Sequence, residues 1–282
     1  MLPRRAFFAT LAALPLPGAE PGIIDTHTHF YDPSRPQGVP WPPAKDELLY
    51  RTVLPEEFVR LAQPLGVTGT IVVEASAWVE DNQWILDLAA HHPVIRGLVG
   101  RLEPGTPAFS GQLARFRNHP KFLGIRVGWN ALSEGLASSA FIEDMRRLAD
   151  ADLSLDAVGG GFIAEAAVRL SDRVPGLRIV LDHLPFEKEA PLAELKGRTR
   201  VFAKVSNFWT QAGWTEAAGR VFAVFGEDRV IYGSNWPVSL RQGAYSELLA
   251  RARGFITPFG ERAARKYFHD NSRAAYRGAT AR

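Results

Sequence analysis

Hydrophobic positions along this chain gather into short β-branched runs, each followed by a polar loop and then by a segment with helical periodicity. The runs cover residues 23–30, 68–76, 95–103, 122–129, 153–160, 178–184, 201–208 and 230–237. Their length and flanking turn residues predict buried strands. Between them, residues 55–63, 81–91, 138–150, 161–173 and 215–225 predict helices, and residues 260–276 a closing helix. Val59, Ala62 and Leu65 repeat at the i, i+3 interval of an apolar stripe, and Pro55 suits a first helical turn. Ile142, Met145, Leu148 and Ala149 form a second such stripe.

Strict alternation of strand and helix implies parallel strands joined by right-handed crossovers. Eight such units predict one α/β domain over residues 21–282, a (β/α)8 TIM-type barrel. The competing arrangement is an open doubly wound sheet, which would carry a glycine-rich phosphate loop after its first strand. Residues 31–54 form instead a Pro-rich insertion with Pro33, Pro36, Pro40, Pro42 and Pro43. A stiff loop at that point lies over the mouth formed by the C-terminal strand ends, where barrels place their chemistry.

Composition narrows the partners. Across 282 residues the net charge is +3, and no dense basic run interleaves with aromatics, which argues against nucleic acid. No run reaches the roughly 18 apolar residues of a membrane span, so the mature chain is expected to have no membrane partner. The absence of cysteine excludes disulfides, thiolate catalysis, Cys-ligated zinc and a lipoprotein anchor. Residues 1–20 have the pattern of an export signal: Arg4 and Arg5, an apolar stretch, then small residues and prolines up to Ala19. The paired arginines resemble a twin-arginine signal; the alternatives are a general secretory signal and a retained apolar N-terminal arm, with export by one of the two signals the expectation. Either directs the mature chain to the periplasm or beyond. Nothing in the sequence speaks to oligomeric state.

Candidate chemistry concentrates at the strand ends. In a strand, residues i and i+2 share a face, so His27 and His29 lean toward one point, as two ligands of a single metal ion must. His183, at the end of the sixth run, faces the same mouth as a third ligand or as an electrophile for a substrate carbonyl. Glu74 ends the second run, and a carboxylate there needs a metal, a catalytic water, Arg101 or Arg126 as partner. Arg126 stands between Gly124 and Gly128, which leave room for a substrate carboxylate or ring oxygen beside its guanidinium. Trp41, Trp78, Trp129, Trp209 and Trp236 fall in loops or strand ends on this side, whereas Trp84 and Trp214 do not. They predict either a ring-binding cleft, with Asn207 and Asn235 supplying polar contacts, or packing against the rim. His91, His92, His119 and His269 carry no expected role.

The order of motifs is more specific than any one of them. His27 and His29, then Gly124-Ile125-Arg126, then Asp182-His183, then Lys204 and Ser206, then Gly233-Ser234-Asn235-Trp236-Pro237 follow one another on successive strands. This order resembles the amidohydrolase-related lactonases, barrel hydrolases of the amidohydrolase superfamily that include sugar-lactone and pyrone-dicarboxylate lactonases. The resemblance covers residues 22–276. It implies a divalent metal, zinc foremost, on His27, His29 and His183, with Lys204 and Arg126 near a small-molecule lactone or sugar-acid substrate; Arg101 is placed there by its own position at the end of the third run.

Two positions depart from the pattern. Asn235 stands where many members have the aspartate that acts as general base, and an amide cannot take a proton at neutral pH. Glu74 and Asp182 remain as candidate bases; strand alternation sets Asp182 on the face opposite His183 and favours Glu74. Arg101 stands where relatives are more often apolar or aromatic. The expectation is a hydrolase that opens a lactone, with His183, Glu74 and Asn235 catalytic. The alternatives are a decarboxylase of the same superfamily and a non-catalytic carbohydrate-binding barrel.

Overall fold

The strands β1 (Ile23–Thr28), β2 (Val67–Val73), β3 (Ile95–Gly100), β4 (Phe122–Gly128), β5 (Ser154–Val158), β6 (Arg178–Leu184), β7 (Val201–Val205) and β8 (Val230–Tyr232) pair in chain order, every pair parallel. The computed structural model describes residues 22–184, 192–207, 210 and 212–277; the export-signal segment and Trp209 lie outside these. β8 has only three residues, so the seam between β8 and β1 closes just beyond it. There the Asn235 N–H donates to the His27 carbonyl at 2.9 Å, and the His29 N–H to the Trp236 carbonyl at 2.8 Å. Asp25 reinforces the seam from β1. Its Oδ1 accepts from the Ser234 N–H at 2.8 Å and its Oδ2 from the Tyr245 hydroxyl at 3.0 Å. The eight-strand (β/α)8 barrel is thus as expected, and its closing bonds run through residues of the H-x-H and G-S-N-W-P motifs.

Helices α1 (Pro55–Ala62), α2 (Asp81–His91), α3 (Phe109–Phe116), α4 (Trp129–Gly135), α5 (Ser139–Asp150), α6 (Ile163–Arg173), α7 (Trp214–Phe225) and α8 (Tyr245–Ile256) lie between or after the strands. Three of them, α3, α4 and α8, fall outside the segments named from periodicity. The α8 stripe of Tyr245, Leu248, Leu249, Ala252, Phe255 and Ile256 is a regular helical pattern in the sequence. α4 begins at Trp129, directly after β4, so no loop marks its start. The expected closing helix is three successive pieces: α9 (Glu261–Arg265), a π-turn (Lys266–Asp270) and α10 (Asn271–Ala275). It ends with Ala275 and Tyr276 buried in the barrel interior against Ile24, Ile71, Val73, Val99, Leu123, Val180, Phe202 and Ile231.

Above that apolar plug the interior is charged. The Tyr276 hydroxyl donates to Asp156 Oδ2 at 2.8 Å, and Lys204 Nζ donates to the same oxygen at 2.7 Å. Lys204 Nζ also lies 2.9 Å from Asp182 Oδ1, which in turn lies 3.5 Å from His27 Nδ1. All these side chains are buried. Burial alone would lower the Lys204 pKa, but the two carboxylates outweigh it and hold the ammonium above its ordinary range. Asp182 is driven the other way: burial would raise it, yet Lys204 and then His27 hold it well below the usual carboxylate value. Asp156 is pushed up to about 6, chiefly by burial.

Replacing Lys204 by Met leaves two carboxylates without their shared cation in a dry interior. We expect a loss of about 3–5 kcal/mol, read as a lower urea midpoint at unchanged m value. An unshifted midpoint would show that the barrel does not depend on this ion chain.

Candidate active site

The three histidines expected at the mouth meet there. The ring centroids of His27 and His29 are 5.0 Å apart, and those of His27 and His183 4.6 Å apart. His27 and His29 are brought together by regular alternation along β1. His183 arrives differently: it takes the left-handed conformation, with φ +64°, at the end of β6. That twist cancels the alternation rule. Asp182 and His183 both reach the same site, and their ligand atoms lie with one of His27 within 4.8 Å of one another. The expectation that Asp182 faces away from His183 is therefore corrected.

Burial keeps all three imidazoles neutral at ordinary pH. It lowers His29 to about 3, with help from the Arg126 guanidinium, and His183 to about 4. His27 is held well below its usual value, chiefly by burial. His29 Nδ1 lies 2.9 Å from the Val73 carbonyl, which can only accept, so this nitrogen carries the hydrogen. Nε2 then presents a lone pair, 3.1 Å from Asn235 Oδ1. That lone pair can accept an N–H from the Asn235 amide, turned about its side-chain axis, or face a cation. His183 Nδ1 is 2.9 Å from Ser206 Oγ, which fixes the ring and leaves Nε2 free. His27 Nδ1 faces Asp182 Oδ1 at 3.5 Å, and its Nε2 is buried without a hydrogen-bond partner. Neutral imidazoles oriented from behind, with unmet lone pairs, fit a divalent metal.

The remaining candidates divide. Glu74 is taken by Arg126: Nε donates to its Oε1 at 2.9 Å and Nη2 to its main-chain carbonyl at 2.6 Å. A register shift between Leu98/Phe122 and Val99/Gly124 precedes Arg126 on β4, and the side chain reaches past β3 to the end of β2. Burial raises the Glu74 pKa even against the opposing pull of Arg126. Asn235, at φ +61°, faces His29. Asn207, also at φ +61°, is engaged by Gln242, whose Nε2 donates to its Oδ1 at 2.8 Å. Lys204, expected at the substrate, lies instead beneath the imidazoles with no exposed surface, held by Asp156 and Asp182. A buried ammonium needs both carboxylates and has none of its charge to offer a ligand.

Among the described residues, the tryptophans do not form one cleft. Trp236 is fully buried behind the seam, packed on Phe30 and Phe58, and is corrected from rim to core. Trp129 opens α4 and packs against Phe162. Trp41, from the Pro-rich insertion, covers His29 at 5.9 Å between centroids. Trp41, Trp78 and Trp84 line a cavity of ≈ 20 Å³ beside Glu74, room for a water and not for a sugar ring. Trp84 thus joins this wall, contrary to its sequence assignment, because Arg35 of the insertion sits over its ring at 4.4 Å and pairs with Asp81 at 2.9 Å.

Gly233 is a site residue that motif reading passes over. A Cβ there would come within 2.8 Å of His27 Cβ and 3.1 Å of the Lys204 side chain. Only glycine lets β8 approach the first metal-facing histidine so closely. The signal was present as the glycine opening G-S-N-W-P.

With the geometry in place, comparison with known proteins adds the following. The amidohydrolase family model matches residues 24–278. An L-fucono-1,5-lactonase from Burkholderia ambifaria is 30% identical over 246 residues, covering 79% of this chain and 83% of the relative. A second L-fucono-1,5-lactonase, from Burkholderia multivorans, is 24% identical over 264 residues, covering 80% and 85%. The crystal structure of an amidohydrolase from Burkholderia multivorans with bound zinc superposes with a TM-score of 0.79 at 22% identity, covering 90% of this chain and 98% of that one. At that identity the superposition establishes the shared fold. The family match spans nearly the whole barrel, together with every strand that supplies a histidine to the mouth: the chain belongs to the amidohydrolase family.

Proposed function

We propose that this amidohydrolase-family enzyme hydrolyses the cyclic ester of a sugar-acid lactone. The observation that carries the reading is the convergence of three neutral imidazoles at one barrel mouth, in a chain 30% identical to an L-fucono-1,5-lactonase. His27, His29 and His183 would hold a zinc ion, with Asp182 alongside but shared with Lys204. When bound, that ion supplies Lewis acidity to the ester carbonyl and lowers the pKa of water.

The protein's own groups do the rest. Glu74 takes a proton from the attacking water: Arg126 holds one of its oxygens, and burial makes the carboxylate a stronger base than an exposed glutamate. Arg126 also fixes the Glu74 main chain, so the base is aimed before substrate arrives. Asn235 orients the water or stabilises the developing oxyanion through its amide, a role that needs no ionisation. The leaving group of a lactone is an alkoxide tethered to the product, and it demands less acid assistance than an amine. Loss of a carboxylic acid at position 235 is thus better tolerated in ester than in amide hydrolysis. We further place the mature enzyme in the periplasm or outside the cell, on the strength of the export pattern in residues 1–20.

Ring opening releases a proton, so a pH-indicator screen over aldono- and aldarolactones reads the activity directly. Bicarbonate release without ring opening would assign a decarboxylase, and binding without turnover a carbohydrate-binding barrel. Exhaustive chelation is expected to abolish turnover and added zinc to restore it; full activity after chelation would remove the metal from the reaction. Glu74→Gln should lower kcat by about 100-fold or more with a modest change in KM. Below the Glu74 pKa its carboxyl is protonated and cannot accept a proton. In the wild type, kcat/KM should therefore rise with pH through a value above the ordinary 4.5, and the Gln variant should lack that limb. Unchanged turnover in the variant would reassign the base.

A further inference from the structure

Among the described residues, the Arg101 side chain stands at the mouth without a hydrogen-bond or ion-pair partner. It directly follows β3, two positions after Val99, whose side chain packs in the barrel interior, and alternation carries Arg101 to the same face. Its main chain is fixed on both sides by Asn82. The Arg101 N–H donates to Asn82 Oδ1 at 2.8 Å, and Asn82 Nδ2 donates to the Arg101 carbonyl at 2.7 Å. The guanidinium is close enough to Glu74 to favour its ionised form. Yet among the described residues it makes no ion pair or hydrogen bond, and its Nε is buried with no acceptor.

The accounting of charge explains why. Glu74 is the acid between the two mouth arginines, and Arg126 engages its carboxylate and its carbonyl. Asp182, the next acid inward, is held by Lys204 and His27. Among the described residues, one carboxylate therefore faces two guanidiniums, and Arg101 is left without an anionic partner of its own. A buried guanidinium N–H normally has an acceptor, and the planar fork suits two oxygens of one carboxylate.

We infer that Arg101 binds a free carboxylate of the substrate, so that the lactone taken by this site carries an acid group besides its ring ester, as the monolactone of a dicarboxylic sugar acid does. This rests on the lactonase reading and specifies its substrate class. A neutral aldonolactone offers Arg101 only hydroxyls and leaves the charge unmatched.

The test compares matched lactones that differ only in a terminal carboxylate against CH2OH, such as D-glucaro-1,4-lactone with D-glucono-1,4-lactone, and the corresponding galactaro and galactono pair. Wild type should show kcat/KM at least tenfold higher for the acidic member of a pair. Arg101→Met should lower kcat/KM for the acidic member at least tenfold more than for the neutral one, and Arg101→Lys should recover part of the difference. Equal or faster turnover of the neutral members by wild type, or an equal loss on both in Arg101→Met, would overturn the inference. A second arm separates this failure from failure of the lactonase reading. Calorimetric titration with the open dicarboxylate galactarate and with galactonate reads the carboxylate contact without turnover. Tighter galactarate binding that Arg101→Met abolishes supports the carboxylate site even if no lactone is opened; equal affinity for both acids in wild type overturns it.

Discussion

Lys204, clasped between Asp156 and Asp182 in the middle of the barrel, is the constraint on which the site rests. An ammonium without contact to water is tolerable only when oxyanions surround it, and two carboxylates in a dry interior only when a cation stands between them. The three side chains come from β7, β5 and β6, so their mutual need fixes the relative height of three adjacent strands. Tyr276 closes the lower end of the chain of contacts and ties it to the last helix. His27 lies at the upper end, where burial keeps its ring neutral against the pull of the Asp182 carboxylate below. Structure and chemistry meet in one file of side chains: the group that holds the barrel in register also sets the floor of the mouth.

Above that floor, regular strand geometry gives way at chosen points. His183, Asn207 and Asn235 each adopt a positive φ at the end of a strand. Asparagine tolerates that conformation and histidine less so, which makes His183 the more costly of the three. The surroundings hold it: its ring is anchored on Ser206, and β6 remains paired with β7 through Leu184 and Val205 just beyond. The cost is repaid in direction, because an extended backbone would send His183 and Asp182 to opposite faces. Asn235 is held by a bond from its own N–H to the His27 carbonyl, so the residue facing His29 is tied to the strand carrying both β1 histidines. These bonds set the position of the site groups within the chain itself, as electrostatic preorganisation requires.

How far the sequence could be read follows from the same geometry. Where a strand is regular, side-chain period predicts partners, and His27 and His29 converge as their spacing requires. Where the backbone leaves the strand region the period fails, as it did for Asp182. No residue type near His183 announces a left-handed turn, so its φ was not legible. Trp236 was misplaced for another reason: proximity to a motif says nothing about which layer a side chain enters, and the short β8 turns it back into the core against Phe58. Lys204 was seen as a strand residue of the right spacing, but its partners lie 48 and 22 positions away in the chain, and only the closed barrel brings them together. For Glu74, burial demanded a partner, and a metal, a catalytic water, Arg101 and Arg126 all stood open; the reach of Arg126 across β3 supplies it.

The amide at position 235 changes the balance of charge more than the shape of the site. An aspartate there would set a formal negative charge against three neutral imidazoles and strengthen the hold on any divalent cation, while lowering the positive charge such a cation could present to a carbonyl. With asparagine, the donor set of three histidines is neutral, and the nearby carboxylates, Asp182 and Glu74, are each already matched by a cation of the protein. A neutral ligand set leaves a bound metal more electrophilic at some expense of affinity. That trade suits an ester whose carbonyl needs activation and whose leaving alkoxide needs little help. On the reading proposed above, the proton-accepting duty would pass from the eighth strand to the carboxylate that Arg126 holds in place, and the departure at 235 and the Glu74–Arg126 pair would answer a single requirement.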